Sequence, residues 1–323
     1  MQNTIYNILN DMSEVLNIQQ MKLLQESLIK RLQSGEQAEE KKKDNRDFLD
    51  MFIAAKRIEG CSERTIEYYY VTIQNMFKDI SIPVRHITTD DLREYLTAYQ
   101  KKNNCSKVTV DNIRRNLSSF FSWLEDEDHI LKSPIRRIHK VRTGTRVKDT
   151  LSDESIESLR DNCKNIRDLA IIDFLYSTGV RVGELVNLNV SDINFEEREC
   201  IVYGKGNKER RVYFDARSKI HLQEYLKTRT DKNEALFVTL DNPHERLKIS
   251  GVEIRLRMLG RKLNIEKVHP HKFRRSMATK AIDKGMPIEQ VQRLLGHQQI
   301  DTTMHYAMVN QNNVKNSHRK YIA

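Results

Sequence analysis

Residues 168–185 read D-L-A-I-I-D-F-L-Y-S-T-G-V-R-V-G-E-L. The apolar run predicts a helix buried in a core. Gly179 predicts its stop, because glycine takes the left-handed conformation that ends helices at little cost. Arg181 follows the break, so its side chain projects from the start of a new helix toward an anion. Glu184, three positions on, reaches back along the same face to fix it. A purely structural Arg–Glu pair is the competing reading of these two residues alone.

Toward the C-terminus, residues 199–214, E-C-I-V-Y-G-K-G-N-K-E-R-R-V-Y-F, hold two short β-rich runs about a turn that carries Lys205 and Lys208. This is a hairpin signal. Helices are expected to resume at Ser218 and to dominate from there. In H-P-H-K-F-R-R (269–275), His271 and Arg274 are three positions apart, on one helical face, with Pro270 suited to the first turn. His269 fails the H-x-x-R spacing and reads as an outer residue, and Arg275 contacts either phosphate or water. Pro287 suits the first turn of I-E-Q-V-Q-R-L-L, and Gly296 its stop, in L-L-G-H (294–297). Tyr306 follows in T-T-M-H-Y.

Toward the N-terminus, Ser152 is placed to cap a helix in L-S-D-E-S-I-E-S-L (151–159). Four further helical segments lie between Arg46 and Glu127: one closed by Gly60, one capped by Ser62, one starting after Thr88 or Thr89, and one from Val108 to Leu124. Between these blocks, residues 128–150 hold seven Lys or Arg against two Asp, with Pro134 and Gly144 as breakers. Residues 1–43 are an amphipathic leader, either a packing segment or an arm that binds a partner protomer or an accessory DNA site. The expected division is a leader (1–43), a helical domain (44–127), a basic linker (128–150) and a second domain with a C-terminal tail (151–323). The fold class is mainly α with a small β-sheet.

The chain has 323 residues and a formal charge of +10, from 55 Lys and Arg against 45 Asp and Glu. That length suggests two domains, and the basic balance favours a polyanionic partner, nucleic acid or an anionic membrane surface. The four cysteines Cys61, Cys105, Cys163 and Cys200 form no C-x-x-C pair, so neither a zinc knuckle nor a disulfide framework is expected. No apolar run reaches the length of a membrane span, and a cytoplasmic protein is the expectation.

Arg181, Lys205, His271, Arg274, His297 and Tyr306 together form an inventory for attacking a phosphodiester without a metal. Two guanidiniums can grip non-bridging oxygens, imidazole and ammonium groups can move protons, and a phenol can become the nucleophile. A lone Tyr, H-x-x-R or helix-end His would carry little weight. No Gly-rich phosphate loop, H-E-x-x-H or two-metal carboxylate cluster stands against this set.

In these motifs the chain resembles the tyrosine recombinases or phage integrases, most closely the Xer-like and transposon-integrase branch. The resemblance covers roughly residues 44–323 and is strongest from Leu169 to Tyr306. It implies an N-terminal helical SAM-like core-binding domain and a mixed α/β catalytic domain that close on DNA as a C-shaped clamp. By the same resemblance, Arg181 and Arg274 hold the scissile phosphate and Lys205 protonates the departing 5′ oxygen. Lys205 is preferred to Lys208 because it matches the family position. His297 is implied to hydrogen-bond the phosphate, and Tyr306 to form a 3′-phosphotyrosyl intermediate, with no metal, cofactor or ATP.

Lys107, Arg114 and Arg115, with Arg136, Arg137, Lys140 and Arg142 of the linker, and Lys208 and Arg275, are the expected DNA-backbone contacts; a solvated surface is the alternative. The implied partner is double-stranded DNA, with no membrane, and the implied assembly is a homotetramer on two sites. The tail after Tyr306, with apolar anchors Met308, Val309, Val314, Tyr321 and Ile322, is expected to pass to a neighbouring protomer; folding back on its own domain is the alternative. The expected function is site-specific recombination: integration or excision of a mobile element, inversion, or dimer resolution. The rival readings are a type IB topoisomerase and a catalytically inactive DNA-binding regulator with this fold.

Overall fold

A computed structural model describes residues 2–13, 15–33, 43–142, 149–204, 209–297, 299–300 and 303–304, apart from the side chains of 2–5 and 29–33. Lys205, Lys208, Tyr306 and the tail after it lie outside the described residues. The chain divides into two compact units, residues 1–144 and 145–323.

The first unit opens with helices α1 (Gln2–Met12) and α2 (Ile18–Gln33), which pack against each other. Leu9, Met12, Leu16, Met21 and Leu24 are half-buried, while Tyr6, Val15, Ile18 and Leu23 stay exposed. Four helices follow: α3 (Asn45–Ile58), α4 (Glu63–Asp79), α5 (Thr89–Asn103) and α6 (Lys107–Asp126). Each starts at a side-chain cap, Asp44, Ser62, Thr88 or Ser106, which accepts from a backbone N–H that the helix leaves unpaired. Their apolar stripes meet in an aromatic core where Phe52 stands edge-on to Phe120 at 5.3 Å and to Tyr69 at 5.4 Å. Burying each such ring contributes about 1.5–3 kcal/mol.

The stretch expected to be a linker from residue 128 is largely part of this unit. Ile135 is buried in its core, and Ile130, Ile138 and Val141 pack against it. The basic residues of that stretch suggest a linker, but its spaced isoleucines decide its packing. Thr89 Oγ1 donates to the Pro134 carbonyl, and Val141 N–H to Asp111, which pins the segment down.

The second unit is built around α8 (Ile166–Thr178), buried on nearly every side and packed between α10 (Ala216–Thr228) and α12 (Pro270–Asp283). Its Asp173, almost fully buried, is compensated by Arg160 at 2.6 Å and His221 at 2.5 Å. Around this axis lie α7 (Asp153–Asp161), α9 (Val182–Asn187), α11 (Ile249–Lys262) and α13 (Ile288–Leu295). A three-stranded antiparallel sheet runs β1 (Ile193–Asn194), β2 (Glu199–Tyr203) and β3 (Glu209–Tyr213). Cys200 pairs with Val212 and Val202 with Arg210, and the inward face carries Cys200, Val202 and Val212. The helix expected from Ser218 begins at Ala216, because Asp215 supplies the cap by accepting from Ser218 N–H. Among the described residues, no helix is long and apolar enough to cross a membrane. The four cysteines are free.

Candidate active site

The site is assembled where α8 ends, α9 begins, α12 passes and α13 stops. Gly179 ends α8 with φ of 62°. A Cβ there would lie 2.1 Å from Met277 Cε, the end of a flexible side chain that would have to shift, so it is the backbone conformation that demands glycine. The chain turns directly into Arg181, the N-cap residue of α9. Glu184, three positions on, accepts the Arg181 backbone N–H at 2.7 Å and its Nη1 at 2.8 Å. The expected Arg–Glu pair therefore forms, with the Arg181 side chain 36% exposed and that of Glu184 only 4%.

Arg274 is almost fully buried on α12 and donates through Nη1 to the Gly179 carbonyl at 2.5 Å and through Nη2 to the Leu295 carbonyl. Arg181 Nη2 reaches the next carbonyl, that of Gly296, at 3.3 Å. A third arginine, Arg210 of β3, donates through Nε to the Leu294 carbonyl at 3.0 Å. Three successive carbonyls at the C-terminus of α13 thus each take an arginine. These are groups the helix leaves unbonded, at the negative end of its dipole, where cations are favoured.

Arg210 also grips both oxygens of Glu184 at 2.6 Å. Burial pushes the Glu184 carboxyl up, but the bonds from Arg210 and Arg181 outweigh it and hold the group below its ordinary value. The named groups carry three positive charges against one negative, an arrangement that suits a further anion.

His297 follows Gly296, whose φ of 63° ends α13. Its Nδ1 is 2.8 Å from the hydroxyl of buried Thr303. Burial, with Arg274, Arg181 and Arg210 close by, brings its pKa down to about 4. His271 lies one turn before Arg274, and burial with Arg274, Arg275 and Arg181 moves it down as well. Both rings are therefore mainly neutral at pH 7. His269, expected outside the site, occupies the N-cap of α12 with its ring centroid 6.4 Å from that of His271. Arg275 is half-buried and donates to the Asp149 carbonyl at 3.0 Å.

Arg181, His271, Arg274 and His297 are thus brought to one place. In the first unit, Lys107, Arg115, Arg136, Arg137, Lys140 and Arg142 are exposed. Arg114 is instead drawn into an ion pair with Asp111 at 2.9 Å. Sequence reading missed Arg210, Thr303 and Lys272, whose buried ammonium donates to the Glu266 carbonyl at 2.8 Å. For Arg210 a signal existed: it alternates with Val212, which puts a charge on the inward face of a strand.

The sequence model of the Phage integrase family matches residues 149–313, and that of the phage integrase N-terminal SAM-like domain matches residues 48–130. Tyrosine recombinase XerA of Pyrococcus horikoshii is 31% identical over 269 residues, covering 82% of this chain and 90% of the relative. Tyrosine recombinase XerC of Oceanobacillus iheyensis is 30% identical over 291 residues, covering 84% and 95%. The fold is shared with the Tn1549 transposon integrase, solved in complex with a circular intermediate DNA, at a TM-score of 0.70 and 19% identity, covering 84% of this chain and 99% of that one. It is shared also with the XerH site-specific recombinase bound to palindromic difH substrate, at a TM-score of 0.68 and 19% identity, covering 99% and 95%. The chain belongs to the phage integrase family, the tyrosine recombinases, and is a site-specific DNA recombinase.

Proposed function

We propose that the site cuts and rejoins DNA strands through a covalent 3′-phosphotyrosyl intermediate, with no metal or ATP. The observation that carries this reading is the convergence of Arg181 and Arg274 on adjacent carbonyls at the end of α13, beside His271 and His297. Two guanidiniums held this way can grip the non-bridging oxygens of one phosphate and stabilise the charge that builds there. His271, neutral at pH 7, accepts the phenolic proton as the Tyr306 oxygen bonds to phosphorus. The bond from phosphorus to the 5′ oxygen breaks, and the Lys205 ammonium supplies the proton that makes a free 5′ hydroxyl. His297 donates to the phosphate. The phosphotyrosyl bond conserves the energy of the broken linkage, so a new 5′ hydroxyl can reverse the step.

In this reading the helical domain and the catalytic domain both bind double-stranded DNA. The exposed Lys107, Arg115, Arg136, Arg137, Lys140 and Arg142 follow the phosphate backbone. Lys208 and the remaining basic residues before the catalytic domain contribute in the same way. Four protomers bring two sites together in the cytoplasm and exchange their C-terminal tails, for integration or excision of a mobile element, inversion or dimer resolution. The family and the basic charge of the chain support these assignments.

The test is a nicked suicide substrate that traps the covalent complex, run in excess EDTA. Wild type should form a denaturation-resistant adduct, and Tyr306→Phe should bind DNA without forming one. An adduct with that variant, or an absolute requirement for Mg²⁺, would sink the mechanism.

A further inference from the structure

Arg210 belongs to the hairpin by sequence and to the phosphate-binding frame by its bonds. Its backbone pairs with Val202 in the β2–β3 ladder, one residue after the hairpin turn's last flank at Glu209. Its guanidinium spans Glu184 of α9 with two bonds of 2.6 Å and the Leu294 carbonyl of α13 with one of 3.0 Å. The side chain is 10% exposed, and a Cβ on Gly296 would stand 2.9 Å from its Cδ, so the seat is closely fitted. A planar fork bonded to two elements and rooted in a third restrains both distance and orientation, which a single ammonium contact does not.

We propose that Arg210 is a positioning residue that fastens the β2–β3 hairpin to the frame of Arg181 and His297, so that the turn delivers its lysine to the departing 5′ oxygen. The inference rests on reading this site as the place of strand cleavage. Arg210 touches no DNA in this account. It acts through the hairpin, so its loss should impair protonation of the leaving group more than binding of the phosphate.

A 5′-bridging phosphorothiolate substrate tests this. There the P–S bond breaks and its electron pair leaves on sulfur as a thiolate, which needs no proton. Arg210→Met removes one of the two arginines that hold the buried Glu184 charge and endangers folding. Arg210→Lys keeps a cation beside Glu184 but loses the fork, and is the main variant. On the ordinary nicked substrate Arg210→Lys should cleave about 10- to 100-fold slower than wild type, short of the about 10²- to 10⁴-fold that complete loss of a general acid costs, because the lysine is misplaced rather than removed. Its DNA affinity should stay within about threefold, as expected when a transition-state contact alone is lost. On the phosphorothiolate substrate most of the defect should vanish.

An equal defect on both substrates, or normal cleavage of the ordinary one, overturns the proposal. Lys205→Ala in parallel separates it from the underlying assignment. If Arg210→Lys is restored by the thiolate and Lys205→Ala is not, the hairpin still delivers the proton, through Lys208, and only the role of Lys205 falls. If no variant of Tyr306, Arg181 or Arg274 affects cleavage, the site itself is misread.

Discussion

His297 Nδ1 stands 2.8 Å from the hydroxyl of Thr303, a fully buried residue three positions before Tyr306. The bond joins the end of α13 to the segment that leads to the proposed nucleophile. When the hydroxyl donates to Nδ1 of a neutral ring, the ring's own proton is held on Nε2, ready to be donated. Thr303→Val removes that hydroxyl at nearly constant volume. Covalent-complex formation should slow by about 5- to 10-fold, the worth of one neutral hydrogen bond. DNA binding should be unchanged, and Thr303→Ser should restore the rate. A silent Thr303→Val variant would mean that the contact organises nothing.

Arg181 and Arg274 should each matter to chemistry with the nucleophile intact. Arg181→Ala or Arg274→Ala should slow single-turnover cleavage by about 10²- to 10³-fold, the usual cost of removing one donor from a developing charge. Arg274→Ala should also lower the unfolding midpoint, since that side chain is buried and bonds the ends of two helices. Arg181, more exposed, should show the kinetic loss with less effect on stability.

The depressed histidines give the free protein a pH signature. His297 sits near 4 when folded against an ordinary 6.5, so between those values the unfolded chain binds a proton that the folded one does not. The stabilisation is complete above about pH 6.5 and is lost as the pH falls toward 4. His271 shifts in the same direction. Thermal unfolding midpoints from pH 7.5 to 4.5 should fall less steeply for His297→Gln than for wild type. An identical slope would place the ring in a more solvated setting.

Gly179→Ala should be costly out of proportion to one methyl group. It forces a left-handed conformation on alanine, worth about 1–3 kcal/mol, and drives Cβ into Met277. Urea denaturation should show the loss. Met277→Ala carries its own cost as a buried residue, so the glycine substitution is compared with that variant as the parent: there it should cost only the part due to the backbone.

Much of this protein was legible in its sequence. Helix ends could be placed because Ser62, Thr88 and Ser152 cap by bonding to atoms three residues away, and because Gly60, Gly179 and Gly296 solve a local backbone problem. The apolar run from Leu169 to Leu175 gave the buried axis of the second unit, and the turn chemistry after Tyr203 gave the hairpin. The Arg181–Glu184 pair was foreseeable from helical periodicity, as was the shared face of His271 and Arg274.

Tertiary structure alone decided what joins distant positions. Arg210 bonds to Glu184 and Leu294 because a β-strand and two helices happen to converge, and nothing in E-R-R-V-Y names those partners. The successive carbonyls of Leu294, Leu295 and Gly296 became sites for three arginines only once four elements were packed. Packing likewise drew the chain around Ile135 onto the first unit, where Val141 N–H donates to Asp111 thirty positions away. Local sequence fixes conformations through bonds a few residues long, whereas a buried charge finds its counter-charge wherever the fold brings one.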